Sequence, residues 1–333
     1  MKIIIPMAGM GKRMRPHTLT IPKPLIRIAG KHIVQRLVEE ISIVCEEKIE
    51  EIAFIIGDFG KEVENNLIEI AKNVGSKATI YYQEEALGTA HAILCAQKSL
   101  KDKVIVAFAD TLFRADFKLD ANKDGIIWVH KVQDPSSFGV VKTDANNIIT
   151  DFIEKPKEFV SDNAIIGIYY FKDGAYLKQH LQYLIEHNIQ KGGEYQLTDA
   201  LENMKKAGTK FTIGNVEEWL DCGNKNATVK TNQRILATNN NEDLISKLAI
   251  IKNTIIIKPC YIGDNAMIEN SVIGPYVSIG ESTIVDNSVI SNSIIQNNSK
   301  SSCVNIDNSM IGNYVEYKEN IKDVSIGDYT TLS

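Results

Sequence analysis

Residues 3 to 25 read IIIPMAGMGKRMRPHTLTIPKPL, and they join an apolar run to a crowd of cations: Lys12, Arg13, Arg15, His17 when protonated, and Lys23. Gly9 and Gly11 let the backbone turn tightly and present its amides. Pro16, Pro22 and Pro24 stiffen the rest of the loop. A loop of this kind is suited to an anion. It is not a dinucleotide fingerprint, because Met14 stands where the third glycine belongs. It is not a Walker A loop either, because the glycine spacing is wrong and neither Ser nor Thr comes after Lys12. The remaining possibility is a non-Walker phosphate cradle, with Arg13 and Lys23 as its cations.

The elements that must position this loop can be read from the hydrophobic pattern. Up to about residue 240, the runs KIIIPMAG, IEEIAFIIGD, KATIYYQEE, KVIVAFAD and GIIWVHKV read as short buried strands. Between them, IVQRLVEEISIV, KEVENNLIEIAKNV and GTAHAILCAQKSL carry apolar residues at helical spacing. Strand–helix alternation predicts an α/β domain with a mostly parallel sheet. Ligands of such sheets bind beyond the carboxyl ends of the strands, which is where the loop after the first strand must lie.

The texture changes after the polar stretch ATNNNED, residues 237 to 243. Asn-Ser-(Val/Ile/Met)-Ile recurs from Asn270, Asn287, Asn292 and Asn308, and Ile-Gly from Ile262, Ile273, Ile279, Ile311 and Ile326. An aliphatic step of about six residues is the signature of a parallel β-helix, with about three sides to a coil. The pattern places Ile256, Ile262, Ile268, Ile273 and Ile279 inward. The expected domains are therefore residues 1–242 and 243–333.

The bulk numbers exclude several classes of protein. A chain of 333 residues with 44% hydrophobic and 24% charged residues is ordinary for a two-domain globular protein. A formal net charge of −5 argues against a nucleic-acid partner, though not against a local cationic pocket. No apolar run approaches a membrane span. The five cysteines are scattered without a C-x-x-C pair, which fits reduced thiols and a cytoplasmic location.

The segment GMGKRMRPHTLTIPKPL resembles the signature of the sugar-1-phosphate nucleotidyltransferases, or nucleotide-sugar pyrophosphorylases. The resemblance continues in order through QEEALGTAHA, FAD, FGVV, EKP, GIYYF, GEYQLTDA and WLDCGN. It implies a Rossmann-like catalytic domain with a left-handed β-helix of hexapeptide repeats after it, as in the longer members. It also implies attack of a sugar-1-phosphate oxygen on the α-phosphorus of a nucleoside triphosphate, releasing pyrophosphate.

By the same resemblance, Ala8, Gly9, Gly11, Arg13, Lys23, Gln83, Gly88, Thr89 and Asp110 bind the nucleotide. Gly139, Glu154, Lys155, Gly167 and Glu194 hold the sugar phosphate. Arg13, Lys23, Asp110, Lys155 and Asp221 are the catalytic set, with Asp110 and Asp221 as ligands of Mg2+. Two carboxylates plus phosphate oxygens suit that hard cation. The amide of Gln83 matches the edge of uracil or thymine, so UTP or dTTP is expected, with glucose 1-phosphate as the leading sugar substrate. His91 is expected to pack on its helix rather than to act in chemistry. Without the resemblance, Gly139 and Gly167 could be bulge glycines, and Glu194 a helix N-terminal acid.

The chain departs from the family pattern at three places: Lys12 where Thr or Ser is usual, Thr111 where many thymidylyl members carry Asn, and Asn224 where Thr is frequent. Two alternatives stay open, a bifunctional enzyme with an acyltransferase tail and a non-catalytic relative. All six histidines precede residue 188, so the tail has none to serve as a general base. The catalytic cations and acids are all present, which weighs against the second. A homo-oligomer is expected, because a β-helix leaves a flat side and end coils to be covered.

Overall fold

The computed structural model describes residues 1–115, 118–239, 243–320 and 325, and the chain divides into two compact units. The first comprises Met1–Ile26 and Lys31–Asn224; the second comprises Arg27–Gly30 and the chain from Lys225 onward. Ile326, and residues 240–242 at the expected domain boundary, lie outside the described residues.

The first unit runs β1 (Lys2–Pro6), α1 (Ile33–Val44), β2 (Glu51–Ile56), α2 (Lys61–Asn73), β3 (Lys77–Tyr82), α3 (Thr89–Cys95), β4 (Val104–Ala107), β5 (Thr111–Arg114) and β6 (Gly125–Lys131). It continues through β7 (Gly139–Thr143), β8 (Ile149–Glu154), β9 (Asn163–Phe171), α4 (Gly174–Glu186), α5 (Leu197–Lys206), β10 (Phe211–Asn215) and β11 (Glu218–Asp221). A nine-stranded sheet has the order β8-β7-β9-β4-β1-β2-β3, with β6 joining β9 to β10. Strands β4, β1, β2 and β3 are mutually parallel. Strand β9 turns the sheet antiparallel against β4, β6 and β7. The α/β class read from the sequence is borne out. GIIWVHKV enters its sheet as β6, with an antiparallel neighbour on one side and a parallel one on the other.

The residues explain this arrangement. Ile3, Ile4 and Ile5 are buried without alternation, as a central parallel strand covered on both faces requires. Helix α1 buries Ile33, Val34, Leu37, Val38, Ile41 and Val44, a stripe at helical spacing. Because β1, β3 and β4 run the same way, their carboxyl ends lie along one edge of the sheet. From that edge leave the loop with Gly9 and Gly11, the segment starting at Gln83, and the turn carrying Asp110.

In the second unit, α6 (Lys225–Thr238) precedes stacked parallel strands in three sheets. Ile250–Lys252, Met267–Glu269, Ile284–Asp286, Lys300–Ser302 and Glu316–Lys318 form one ladder. Ile255–Ile256, Val272–Ile273, Val289–Ile290 and Asn305–Ile306 form the second, and Cys260–Ile262, Val277–Ile279, Ile294–Ile295 and Met310–Ile311 the third. Ile250 pairs with Met267 and Met267 with Ile284, so the early coils take 17 residues; Lys300 then comes 16 residues after Ile284. These coils are those of the expected left-handed β-helix. Ile262, Ile268, Ile273 and Ile279 are fully buried, and Ile256 packs partly buried against them.

The structure also explains the Asn-Ser phrase. Asn270, Asn287, Asn292 and Asn308 all have φ between 40° and 49°, the left-handed corner conformation that Asn tolerates best after Gly. The serine after each asparagine turns its hydroxyl back onto the carbonyl two residues earlier. The Ser271 hydroxyl then accepts the Ser288 amide, and the Ser293 hydroxyl accepts the Ser309 amide, so neighbouring coils are tied through their corners.

Helix α6 falls before the boundary expected at 242/243, but its packing is within the second unit. The buried Asn232 side-chain oxygen, Oδ1, accepts from the Ala29 amide at 3.0 Å and from the Ser278 hydroxyl at 2.7 Å. The Gln296 side-chain Nε2 donates to the Arg27 carbonyl at 2.8 Å. A Cβ on Gly30 would lie 2.3 Å from the Tyr261 ring, so the segment fits only as glycine.

Candidate active site

A cleft of about 360 Å3 opens in the first unit. Its lining includes Ala8, Gly9, Gly11, Lys23, Gln83, Gly88, Thr89, Asp110 and Glu194. These come from four separate stretches of sequence, gathered by the sheet edge described above. Gly11 sits at φ 62°, and a Cβ there would come 3.0 Å from the Cβ of Lys23, so the loop closes directly onto the lysine stem. The Thr18 hydroxyl donates to the Gly11 carbonyl at 2.9 Å and fixes the turn.

Lys23 is 9% exposed, and its ammonium donates to Asp110 Oδ2 at 2.8 Å. A lysine this buried needs a partner. Asp110 supplies it while its own side chain stays 36% exposed. Asp221 is brought alongside by strand pairing. Strand β11 runs antiparallel to β5 with Asp221 opposite Thr111, and the Cys222 amide donates to the Asp110 carbonyl at 3.0 Å.

Burial pushes the Asp221 carboxyl above the usual carboxylate range. The Gly223 amide opposes that shift, the charge of Asp110 adds to it, and the cations Lys23 and Arg13 oppose it. Arg13 itself is exposed on the short turn Lys12–Met14, not part of the cleft lining but within electrostatic reach of Asp221.

The structure holds Gln83 and Gly88 in one tight segment. Gly88 has φ 104°, and a Cβ there would lie 2.5 Å from the Tyr195 carbonyl oxygen and 2.7 Å from its nitrogen. Tyr195 N donates to the Leu87 carbonyl and Ala90 N to the Tyr195 carbonyl, which locks the loop to the segment before α5. Thr89 accepts the Leu197 amide at 2.9 Å, so part of its role is structural. Gly88→Ala is accordingly expected to destabilise the unit by about 1–3 kcal/mol through a strained backbone. A denaturation midpoint equal to the wild-type value would contradict this.

Of the residues expected on the sugar side, Glu194 is in the cleft lining and Gly167 adjoins it through Phe108, while Gly139, Glu154 and Lys155 belong to the β7–β8 hairpin outside that lining. Glu154 pairs with Gly139 across β8 and β7, and a Cβ on Gly139 would sit 3.0 Å from Glu154 Oε2. Lys155 has φ 45°, an outlier for a non-glycine residue, and its amide donates to the Phe138 carbonyl. Its ammonium lies 3.9 Å from Glu154. Gly167 has φ 86° where the register of β9 shifts, so it is a bulge glycine as well as a neighbour of the cleft. Its carbonyl accepts from Phe108, a cleft residue.

Sequence reasoning missed Phe108 and the neighbouring apolar wall. It also missed the edge contact of Phe138 on Trp219, with ring centroids 4.9 Å apart, which ties the FGVV segment to the strand bearing Asp221. The motifs FAD and WLDCGN contain two of these aromatics, but nothing in the spacing shows that they meet. Of the departures from the family pattern, Lys12 is exposed and Thr111 is buried in β5.

A glycine-rich loop beside a buried lysine and two facing aspartates is the anatomy of a phosphoryl-handling site. The model of the nucleotidyl transferase family matches residues 2–238, and the chain belongs to that family. The resemblance to sugar-1-phosphate nucleotidyltransferases is thereby borne out.

Among similar proteins is a "Bifunctional protein GlmU" of Methanococcus maripaludis, 31% identical over 261 residues, 77% of this chain and 59% of that one. The chain thus spans about three fifths of the length of these relatives. A "low-salt glycan biosynthesis nucleotidyltransferase" of Haloferax volcanii is 29% identical over 244 residues, 71% of this chain and 66% of that one. The fold is shared with a crystal structure of UDP-glucose pyrophosphorylase complexed with UDP-glucose, at TM-score 0.59 and 24% identity, covering 71% of this chain and 98% of that one.

Proposed function

We propose that this chain joins a pyrimidine nucleoside triphosphate, UTP or dTTP, to a sugar 1-phosphate, giving a nucleotide sugar and pyrophosphate. Glucose 1-phosphate is the leading sugar substrate. The observation that carries this reading is the Lys23–Asp110 pair on the cleft floor, beside Asp221 and within a lining that includes Gly9, Gly11, Gln83 and Gly88.

In the proposed reaction, an oxygen of the sugar phosphate forms a bond to the α-phosphorus while the bond to the β-phosphate oxygen breaks. The electron pair leaves on pyrophosphate. Little covalent work falls to the protein, so catalysis is positioning and charge stabilisation. Lys23 and Arg13 face the triphosphate and the leaving pyrophosphate, and Lys155 faces the sugar phosphate. The backbone at Ala8, Gly9 and Gly11 allows close approach of phosphate oxygens, and Glu154, Gly139, Gly167 and Glu194 bound the sugar.

Asp110 and Asp221 would hold Mg2+. The donor set fits: two hard oxygen donors lie beside each other, and Asp110 already holds a cationic ammonium. Among the described residues no group of three or more His, Cys, Asp or Glu forms a metal cage, which agrees with a cation that takes most of its ligands from phosphate and water. When bound, the metal supplies neutralisation of phosphate charge.

The test is a matrix of UTP, dTTP, CTP, ATP and GTP against sugar 1-phosphates, read by pyrophosphate release. Turnover confined to purine nucleotides, or none with any sugar 1-phosphate, would reject the reading.

A second reading, a bifunctional enzyme, has one observation in its favour: the Methanococcus relatives are named as bifunctional proteins. The described coils contain no histidine to act as a base. Acyl-CoA turnover by the full-length chain would establish it. The reading also includes a cytoplasmic location. No described helix is long and apolar enough to cross a membrane, and the five cysteines are unpaired.

The reading also includes a homo-oligomer, and an exposed apolar face of the coils supports it. Ile250, Met267 and Ile284 form an exposed ladder on one sheet, with Ile255 and Val289 exposed on the next. The ladder ends in Lys300 and Glu316. Truncation near residue 245 would remove Tyr261 and Gln296 from the segment Arg27–Gly30 and Ser278 from Asn232, so point changes are the cleaner probe. Met267→Glu with Ile284→Glu is expected to lower the mass in light scattering and leave turnover intact. An unchanged mass would remove this face from the assembly.

A further inference from the structure

We propose that His91 is a positioning residue: it holds the Gln83 amide with its oxygen left for the ligand, and thereby limits the site to bases that present an N–H there. This inference rests on the reading of the cleft as a pyrimidine nucleotide site.

The geometry is specific. Gln83 Nε2 donates to the Gly88 carbonyl at 3.4 Å and lies 3.1 Å from His91 Nδ1. A primary amide has two N–H donors and one carbonyl acceptor. The Gly88 carbonyl can only accept, so it selects the NH2 end of the amide. The second donor then goes to His91 Nδ1, which accepts when the imidazole proton sits on Nε2. Both donors are committed to the protein, and only the Gln83 oxygen remains for a base. The bond to Gly88 is long on its own, so without His91 the amide is free to rotate.

The consequence is a choice between bases. Uracil and thymine carry N3–H at the centre of their pairing edge, which the Gln83 oxygen accepts. Cytosine carries an unprotonated N3 at the same place, which faces the oxygen with a lone pair. An amide rotated by half a turn would reverse the preference. A site built around one hydrogen bond rejects the analogue lacking it, because the acceptor covered by the bound base is left unpaired. The sequence alone points to helix packing for His91. The structure instead places it on the one side chain expected to read the base.

The experiment is calorimetric titration of the full-length protein with UTP, dTTP and CTP in Mg2+, repeated for His91→Leu and His91→Gln, together with KM and kcat for each substrate. His91→Leu is expected to reduce the preference for UTP over CTP by about tenfold, the worth of one neutral hydrogen bond. The KM for the sugar phosphate and kcat should hold. His91→Gln, whose side-chain oxygen can accept from Gln83, should restore the preference. A wild type that prefers UTP or dTTP, with His91→Leu keeping that preference or losing all parameters together, overturns the inference and leaves the reaction intact. A wild type that prefers CTP overturns both the base assignment and the inference.

Discussion

Lys23→Ala should lower kcat/KM by about 100- to 1000-fold, because one preorganised charge contact to the reacting phosphates contributes roughly 3–4 kcal/mol. The fold should survive. The carboxylate left behind, Asp110, is 36% exposed on the cleft, so water can solvate it once the ammonium is gone. Lys23→Ala keeps the Cβ that lies closest to Gly11 but removes the rest of the stem above it, which predicts a looser loop at residues 9 to 18 and faster amide exchange there. Arg13→Ala should show a large loss in kcat/KM with less structural consequence, since Arg13 is exposed. The split between the two is the informative part. Lys23 is held in place by Asp110 before substrate arrives, whereas in the proposed reaction Arg13 is ordered only by the phosphates. Near wild-type turnover in a folded Lys23→Ala protein would remove the cation loop from the mechanism.

Much of this site was legible because its parts are local in sequence. The glycines at 9 and 11, the prolines and Lys23 occur within one loop, and a loop after a buried strand in a parallel sheet has only one place to go. The same holds for Gln83 and Gly88, five residues apart at the end of another strand. The β-helix was legible for a different reason: Ile262, Ile268, Ile273 and Ile279 repeat an inward position, and Asn270, Asn287, Asn292 and Asn308 record a corner conformation that few residues tolerate.

The non-local pairings could not be read. Nothing near Gly30 announces Tyr261, and nothing in WLDCGN announces Phe138 or the register that sets Asp221 opposite Thr111. Helix α6 reads as part of the catalytic half because it continues the strand–helix alternation; its buried Asn232 is what commits it to the coils. His91 escapes a reading of the sequence because a lone histidine on a short helix is more often packing than function, and only the position of Gln83 changes that balance.

The two aspartates yield the sharpest contrast. Asp110→Asn and Asp221→Asn should both abolish metal-dependent triphosphate binding and lower kcat/KM by at least about 100-fold, because each removes one of only two hard protein donors. Their effects on stability should be opposite. Asp110 neutralises Lys23, which is 9% exposed, so Asp110→Asn leaves a buried ammonium with a weaker partner and should lower the melting temperature. Asp221 is a partly buried carboxylate whose charged form is opposed by burial and by Asp110, while its accepted bond from the Gly223 amide can be kept by an asparagine oxygen. Asp221→Asn should therefore melt at or above the wild-type temperature when no metal is present. Adding Mg2+ with UTP should raise the melting temperature of the wild type and of neither variant, since only a ligand bound to the folded state stabilises it. The result that would defeat the shared metal site is a full Mg2+–UTP melting shift in a folded Asp221→Asn protein, for then Asp110 alone would suffice and the pairing of β11 with β5 would serve the fold rather than the chemistry.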